Sequence, residues 1–153
     1  MARVDDDSYE RLCVYKWHAR KKVLLNRTVW YAVRMAPRAN GRQASVQMHR
    51  EILGVAGSVL VDHRDGDTLN NQRGNLRPAS RRQNKQNSHK QKACSSQFKG
   101  VCWDRKNEKW QAYIRISGGK RHLGLFDVEE VAAKTYDAAA RVEFGDFALT
   151  NFR

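Results

Sequence analysis

The sequence is poor in cysteine and in acidic residues. Its 153 residues include 3 cysteines, and Cys13, Cys94 and Cys102 are odd in number and form no C-x-x-C pair. A disulfide framework or a zinc ribbon is therefore disfavoured, and a reducing compartment fits best. Only 16 Asp and Glu stand against 29 Lys and Arg, so the formal net charge is +13. Such an excess favours a polyanion as the partner, because each phosphate that is neutralised releases condensed counterions.

Long apolar runs are also missing. No stretch is long enough to span a membrane, and no basic amphipathic helix with an aromatic-rich apolar face is visible. Residues 1–7 lack the apolar core of a signal peptide. We therefore expect an intracellular protein with no membrane partner.

The N-terminal part is predicted to be a polar lead-in followed by strands. Residues 1–10 are mostly polar, and Asp5-Asp6-Asp7 is typical of a solvated acidic tip. From Leu12 the residues favour strands, and Trp17 and Trp30 are predicted to be core aromatics of a small sheet.

The dipeptide Asn40-Gly41 is a strong signal for a two-residue hairpin turn. It predicts that residues 29–35 pair with residues 43–48. The segment 48–54 then favours a short helix that ends at its glycine. His49 has two equally open interpretations. It either contacts phosphate or braces a site, or it is satisfied by local hydrogen bonds.

A stretch in the middle of the chain organises the rest. An apolar residue leads into Asp62-His63, a polar glycine-containing loop follows, and the chain returns to Asn75 before a basic stretch that carries Asn84. The pattern predicts a strand, a loop, a second strand and a helix, which would bring these four residues together. A carboxylate and an amide oxygen can hold a hard cation, and an imidazole beside them can accept the proton of an attacking water. The residue types alone leave a second interpretation open, because the Asp, Asn and Gly of the loop are also ordinary turn residues.

These residues resemble the HNH endonuclease family in its ββα-metal form. The matching positions, in order and spacing, are Val61-Asp62-His63, the Asp65-Gly66-Asp67 loop, Asn71, Asn75-Leu76-Arg77 and Asn84. The resemblance implies His63 as the general base, Asn75 as the residue that orients it and Asp62 as a metal ligand. Asn84 falls where many members carry a second histidine, so the chain is an H-N-N variant, as in several phage homing and nicking enzymes.

The donor atoms at these positions favour a hard metal ion. The carboxylate of Asp62 and the amide oxygen of Asn84 suit Mg²⁺, or Mn²⁺, with several retained waters, whereas an imidazole would favour Zn²⁺ or Ni²⁺. The alternative is that Asn84 only caps its helix or bonds to its own backbone, and that Asp62 and waters hold the ion alone. No small-molecule cofactor is expected.

A basic run follows the second predicted strand, with no acid among its residues. A charge run is usually a solvated face, but this one follows the nuclease signature, which favours contacts with phosphate. The residues predicted to make those contacts are Arg77, Arg81, Arg82 and Lys85. The polar residues 89–96 are then predicted to link two domains.

The C-terminal part is predicted to form three strands and a helix. The segments with strand character are 98–103, 109–116 and 121–126. A helix is expected from residue 128 to about residue 144, started by a capping box of Asp127 and Glu130. Its apolar face is predicted to pack on the sheet. The members of that face are Val128, Val131, Ala132, Thr135, Ala138, Ala139 and Val142.

This second unit looks like an AP2 domain, a three-strand-plus-helix DNA-binding module. The matching motifs are Phe98-Lys99-Gly100-Val101, Trp110-x-Ala112-x-Ile114-Arg115, His122-Leu123-Gly124-x-Phe126, Ala132-Ala133-x-x-Tyr136-Asp137-x-Ala139-Ala140 and Leu149-x-Asn151-Phe152. In that family the exposed face of the sheet lies in the major groove. The contacts implied by position are Lys99, Tyr113, Arg115, Lys120 and His122, with Arg105, Lys109 and Gln111 as neighbours. Cys102 and Asp104 stand where plant members often carry base-reading arginines, so base preference is not transferred.

The predicted architecture is α+β: a small ββα-metal nuclease core followed by a three-stranded antiparallel sheet packed on one helix. The expected domains are a lead-in at 1–10, a nuclease domain with a leading β-hairpin at 11–88, a linker at 89–96 and a DNA-binding module at 97–153. The predicted function is metal-dependent hydrolysis of phosphodiester bonds in double-stranded DNA, in the cytoplasm of a bacterial or phage-infected cell. Two alternatives remain open. One is a DNA-binding regulator whose HNH core does not cleave. The other is an RNA-binding protein, disfavoured because an RNP-type aromatic motif is absent.

Overall fold

A computed structural model describes residues 1–24, 28–38, 43–90 and 95–152 of the chain. The chain forms two compact units, Met1–Asn84 and Lys85–Arg153. Both units combine helices with antiparallel strands, which confirms the predicted α+β class. Among the described residues, no helix is both long enough and apolar enough to cross a membrane.

The first unit contains two small antiparallel sheets. Its elements are α1 (Asp6–Cys13), β1 (His18–Val23), β2 (Thr28–Met35), β3 (Ser45–Gln47), α2 (Met48–Leu53), β4 (Leu60–His63), β5 (Leu76–Ala79) and the start of α3 (Arg81–Gln86). One sheet has the order β1-β2-β3, and β4 pairs with β5 in a separate hairpin. The order strand, loop, strand and helix predicted for the central stretch is thus confirmed.

The strand pairing predicted around Asn40-Gly41 is also confirmed. β2 and β3 pair antiparallel, with Val33 opposite Gln47, whereas Asn40-Gly41 itself lies outside the described residues. α2 follows β3 directly and ends at Gly54, whose φ of 63° is left-handed. A glycine adopts this conformation without the strain that a side chain would add.

The N-terminal residues belong to this fold, so the prediction of a polar lead-in over residues 1–10 is wrong. α1 begins at Asp6, and the acidic side chains of its first turn favour the positive end of the helix dipole. Leu12 lies on this helix and is buried. The strands expected from Leu12 therefore begin only at His18.

The core of the first unit lies where α1, α2 and the strands meet. Its buried side chains are Leu12, Ala32, Met48, Ile52 and Leu76. Trp17 packs against this cluster, which confirms the prediction for it. The prediction for Trp30 is wrong, because its side chain is 43% exposed. Trp30 lies opposite Lys21 of β1, a strand whose residues are all exposed.

The second unit is a three-stranded antiparallel sheet covered by a helix. Its main elements are β6 (Val101–Asp104), β7 (Lys109–Ile116), β8 (Gly119–Phe126) and α4 (Glu129–Phe144). β7 lies between the other two strands, and its pairing with β8 shifts register between Ala112 and Tyr113. The observed elements agree with the three strands and one helix that the sequence predicts.

The face of α4 that meets the sheet differs from the predicted one. Its buried residues are Ala132, Ala133, Tyr136, Asp137 and Ala140. Val128, Val131 and Val142 were predicted to pack there but are exposed. Three of the buried residues are alanines, which allow the helix to approach the sheet closely, whereas Ala138 of the predicted face is exposed. Its N-cap is Val128 without a side-chain bond, so the predicted capping box is also wrong.

The C-terminal motif ties the end of the chain back to the unit. Asp137 on α4 accepts hydrogen bonds from the backbone N–H groups of Asn151 and Phe152 at 2.8 and 2.9 Å. Asn151 Oδ1 accepts a bond from Lys99 N at 2.7 Å, and Asn151 Nδ2 donates to Lys99 O at 3.1 Å. The buried carboxylate of Asp137 thus has partners that compensate its burial.

Residues within the predicted linker and on both sides of it form hydrogen bonds in the second unit. Lys90 Nζ donates to the carbonyl oxygens of Ser96 and Phe98. Lys99 Nζ donates to Gln86 O at 2.5 Å. Residues 91–94 within the predicted linker lie outside the described residues.

Gly100 carries a test of this packing. Its φ is +77°, and an added Cβ would lie 2.0 Å from Cδ2 of the buried Tyr136. We expect Gly100→Ala to lower the free energy of opening of the β6–β8 sheet by roughly 2–4 kcal/mol, because the backbone is strained and the ring must move. Amide hydrogen exchange of β7 measures this. The control is Gly118→Ala, where a Cβ meets no atom within 4 Å, and equal protection in both variants would contradict the packing.

Candidate active site

The candidate site is centred on the β4–β5 hairpin. The antiparallel register places His63 opposite Leu76 and Asp62 opposite Arg77. Asp62 Oδ2 accepts hydrogen bonds from Arg77 Nε at 2.8 Å and from Arg77 Nη2 at 2.7 Å. Both side chains are 8% exposed. This two-point contact fixes the carboxylate, and removal of either charge would leave the other buried without its partner.

Reciprocal hydrogen bonds close the loop between the two strands. Asn75 Nδ2 donates to Asp65 Oδ1 at 2.9 Å, and Asp65 N donates to Asn75 Oδ1 at 3.0 Å. Asn75 Nδ2 also donates to Asn70 O at 2.8 Å, and Arg64 N donates to Asn75 O at 2.9 Å. Asn75 therefore fixes Arg64 and Asp65, the two residues that follow His63.

The loop carboxylate of Asp65 is held in its charged form. Burial raises the pKa of Asp65, but hydrogen bonds from Asn70, the Asp67 backbone and Asn75 outweigh this effect, and the net pKa is lowered. Asn70 Nδ2 donates to Asp65 Oδ2 at 2.7 Å. The acidic and amide residues of the loop thus do form turn hydrogen bonds, and the same bonds shape the loop beside His63.

The N-terminal residues support the loop from another side. Arg3 N donates to Leu69 O at 2.9 Å, and Asn71 N donates to Arg3 O at 2.8 Å. Asp5 Oδ2 accepts a hydrogen bond from Arg73 N at 2.6 Å. The second half of the loop, which leads into β5, is therefore held by the N-terminal residues.

The ring of His63 lies in a buried aromatic cluster. Its centroid is 5.1 Å from that of His49, in an edge-on arrangement, and 6.4 Å from that of Tyr31. The Tyr31 and His49 centroids are 5.8 Å apart. His49 lies in the first turn of α2 and Tyr31 lies on β2, so two other elements meet the histidine of the hairpin.

Burial sets the protonation of both histidines. Burial lowers the pKa of His63, while the Asn71 amide and the carboxylates of the hairpin act in the opposite direction. Burial, together with smaller electrostatic contributions from His63 and Arg50, lowers the pKa of His49 to about 3. Both rings are therefore mainly neutral at pH 7, which is the state in which an imidazole can accept a proton.

The surroundings of His49 favour one of the two interpretations left open by the sequence. Its Nδ1 is buried and has no hydrogen-bond partner among the described residues. Local hydrogen bonds therefore do not account for that nitrogen. Its ring instead packs against His63, as expected of a group that braces the site.

Asn84 lies on α3, which follows β5. Its backbone N donates to Ser80 O at 3.0 Å, and the residue is half-buried. Within the described residues, no three or more His, Cys, Asp and Glu side chains are grouped so that they could hold a metal ion. A closed zinc site is thus not formed by them. Asp62 and Asn84 carry carboxylate and amide oxygens, the donor types that a hard cation prefers.

The basic residues after the hairpin differ in exposure. Arg81, Arg82 and Lys85 are exposed on α3, as a surface that contacts phosphate requires. Arg77 is 7% exposed and bound to Asp62. Arg77 is therefore not part of the exposed surface predicted for the basic run, because the strand pairing places it against the buried carboxylate of Asp62.

A second candidate surface is the face of β7 and β8 turned away from α4. Arg115 lies opposite Lys120, and Tyr113 lies opposite His122. Lys120 Nζ is 4.0 Å from the Tyr113 ring centroid and donates to Gln111 Oε1 at 3.3 Å. The strand register thus gathers five of the predicted DNA contacts on one face.

The other three predicted contacts have different surroundings. Arg105 is exposed in the turn after β6. Lys109 Nζ forms an ion pair with Asp127 at 3.0 Å. Lys99 is half-buried against Gln86 O, and burial lowers its pKa to about 8 although Asp137 opposes the shift. Lys99 therefore stabilises the fold of the unit and does not share the exposed face.

Three relationships at the site go beyond the predictions made from the sequence. The pair of Asp62 with Arg77 could have been found, because antiparallel pairing of His63 with Leu76 brings those two residues opposite each other. The sequence indicates Asn71 only as a position that matches the HNH pattern, because its effect on the pKa of His63 depends on the folded loop. No sequence pattern indicates that Tyr31 reaches His63, because that contact joins distant parts of the chain.

The buried His49 leads to a test by NMR. We expect its ring to remain neutral from pH 5 to pH 8 in the folded chain, because burial lowers its pKa to about 3. In urea-unfolded protein the ring should titrate near the ordinary value of about 6.5. The unfolded state thus binds more protons below that value, so the stability gained by burying the neutral ring is complete above it and is lost as the pH falls toward 3. Titration of His49 near pH 6.5 in the folded chain would contradict its packing.

Comparisons with known proteins bear on both units. An uncharacterized HNH endonuclease of Acanthamoeba polyphaga mimivirus is 30% identical over 134 residues, which cover 84% of this chain and 69% of the relative. Protein 3.8 of Escherichia phage T7 is 32% identical over 94 residues, or 61% of this chain and 77% of that protein. An AP2-like ethylene-responsive transcription factor of Oryza sativa subsp. japonica is 43% identical over 60 residues. No protein-family model matches the chain, and no solved structure matches it significantly.

The share of each chain that is aligned determines what each similarity establishes. The rice match covers 38% of this chain and 9% of the transcription factor, so it concerns an AP2-like part and not the activity of that protein. The mimivirus match covers more than two thirds of both chains, and its length requires it to include the β4–β5 hairpin. The chain belongs to the HNH endonuclease family.

Proposed function

We propose that the chain is a metal-dependent endonuclease that hydrolyses phosphodiester bonds in double-stranded DNA. The observation that carries the proposal is the hairpin that holds Asp62 and His63 in consecutive positions, with the carboxylate bound by Arg77 and the loop closed by Asn75. A nearby carboxylate and a neutral imidazole are the groups that activation of a water for attack on a phosphodiester requires.

His63 has the role of general base in this proposal. Burial lowers its pKa, so the ring is available to accept a proton from water at neutral pH. The packed ring of His49 limits its rotation. A base with a fixed orientation loses less freedom on reaching the transition state.

Asn75 and Arg77 have positioning roles. Asn75 closes the loop through Asp65 and Asn70 and so fixes the backbone that follows His63. Arg77 holds Oδ2 of Asp62 and so fixes the position of the carboxylate. Neither residue needs to touch the substrate to affect the reaction.

The proposed metal ligands are Asp62 and Asn84, and the proposed ion is Mg²⁺ or Mn²⁺. When bound, the ion would polarise the scissile phosphate and stabilise the leaving oxygen. An oxygen-donor pair with retained waters suits such ions better than Zn²⁺. The alternative is that Asn84 only caps its helix or bonds to its own backbone while Asp62 and waters hold the ion, and locating the bound ion decides between the two.

DNA is engaged by two exposed surfaces in the proposal. The face that carries Gln111, Tyr113, Arg115, Lys120 and His122 binds the duplex and positions it. Arg81, Arg82 and Lys85 on α3 contact phosphate next to the nuclease hairpin. A purely regulatory protein with a non-cleaving core would need only the first of these surfaces and would not need an intact Asp62-His63 pair.

The proposed base is tested by His63→Ala. We expect loss of nicked and linear products from supercoiled plasmid in the presence of Mg²⁺, with the Kd for duplex DNA changed less than about threefold, because the ring acts in the chemical step. The exposed His89→Ala is the control and should cut like the wild type. The wild-type rate should fall with decreasing pH only below the ordinary histidine pKa of about 6.5, since the pKa of His63 is lowered.

Two results would count against this account in different ways. Cleavage by His63→Ala at the wild-type rate would remove His63 as the base. DNA binding by the wild-type chain without any cleavage in Mg²⁺ or Mn²⁺ would support the regulatory alternative.

A further inference from the structure

Strand β1 is an exposed basic edge that neither the nuclease site nor the AP2-like face accounts for. It runs from His18 to Val23 and forms one end of the β1-β2-β3 sheet. All six of its residues are exposed, although the strand is fully paired along β2. A strand of a packed sheet usually buries the side chains of one face. Because every residue of β1 is exposed, both faces of this strand are accessible to a partner.

The register divides the cations of β1 between the two faces of the sheet. Arg20 lies opposite Tyr31, whereas Lys21 lies opposite Trp30. Lys22 is two residues from Arg20 and lies opposite Val29. Because successive side chains of a strand alternate, Arg20 and Lys22 share the Tyr31 face, and Lys21 is on the other face.

The Tyr31 face leads to the proposed catalytic histidine. The Tyr31 ring centroid is 6.4 Å from that of His63, and directly opposite residues on antiparallel strands have Cβ atoms about 4.5–5.5 Å apart. Arg20 is therefore separated from His63 by one intervening side chain. A substrate held at His63 extends within reach of a long cationic side chain on β1.

The electrostatic surroundings leave these cations available. The sequence has no Asp or Glu between Glu10 and Glu51. Across the described ranges of the chain, no ion pair involves Arg20 or Lys22, whereas Arg34 on β2 is neutralised by Glu51 at 2.9 Å. β1 adds no apolar side chain to this face, because Ala19 and Val23 lie on the Lys21 face. Such a face suits phosphate groups better than insertion into a membrane.

We propose that Arg20 and Lys22 bind the DNA backbone beside the phosphodiester held at His63. β1 thus forms a phosphate-binding edge of the first unit, in addition to the AP2-like face of the second. The assignment of the bound phosphates to the neighbourhood of the cut rests on the proposed function. The binding of duplex DNA by the β1 edge does not require cleavage.

The test is the salt dependence of DNA binding by the full chain, measured in EDTA by fluorescence anisotropy with a duplex oligonucleotide of mixed sequence. Each lost phosphate contact reduces the slope of log Kd against log salt by about 0.9. We expect Lys22→Gln to reduce the slope by about 0.9 and the double variant Arg20→Gln/Lys22→Gln to reduce it by about 1.8.

Two control variants separate this contact from net charge and from misfolding. Lys21→Gln removes the same charge from the other face and should leave the slope unchanged. Arg20→Lys/Lys22→Arg keeps both charges and should retain the wild-type slope. An equal loss of slope in Lys21→Gln and Lys22→Gln, or an unchanged slope in the double Gln variant, would overturn the inference.

Cleavage assays of the same variants distinguish this inference from the proposed function. If neither the wild type nor any variant cuts plasmid but the slopes change as expected, the endonuclease proposal fails and the DNA-binding edge stands. If the double Gln variant cuts with wild-type kcat/KM and slope, the edge is wrong and the endonuclease proposal stands. Wild-type binding to phosphatidylserine vesicles as tight as to the duplex, lost in the double variant, would assign the face to a membrane and overturn the inference.

Discussion

The closure of the β4–β5 loop by Asn75 is the constraint on which the candidate site depends. Two reciprocal hydrogen bonds with Asp65 hold the loop, and the Asn75 carbonyl holds the backbone of Arg64 next to His63. A loop that carries several acidic and amide side chains could adopt many turns. These bonds select one of them and so determine where the histidine points.

The same hairpin contains a buried ion pair. Asp62 and Arg77 are both buried, and their mutual contact compensates part of the cost of removing two charges from water. A carboxylate held in this way has a fixed position. Asp62 and Arg77 therefore stabilise the fold as well as the candidate site. Substitution of either residue is expected to lower the free energy of unfolding together with any activity.

Much of this arrangement follows from local pattern, and the rest depends on tertiary contacts. The strand, loop, strand and helix of the hairpin, the pairing of β2 with β3 and the three-strand-plus-helix unit are predictable, because alternation and turn residues act over a few positions. α1, the contact of Tyr31 with His63 and the buried face of α4 are not. Asp6 and Asp7 are exposed, as predicted for a solvated acidic tip, but they also lie in the first turn of α1. The valines of α4 have the hydropathy of core residues, whereas the residues that α4 buries include three alanines. In each case the partner that decides the outcome is distant in the chain.

We propose that Asp62 on the hairpin holds a hard metal ion near His63, and diffraction at the manganese absorption edge tests this proposal. Crystals grown at a Mn²⁺ concentration that supports plasmid cleavage should give an anomalous difference peak about 2.0–2.3 Å from an oxygen of Asp62. A second ligand at Asn84 Oδ1 would complete the protein donors, and the peak should vanish in Asp62→Ala. A peak elsewhere in the chain, with none at Asp62, would contradict the account.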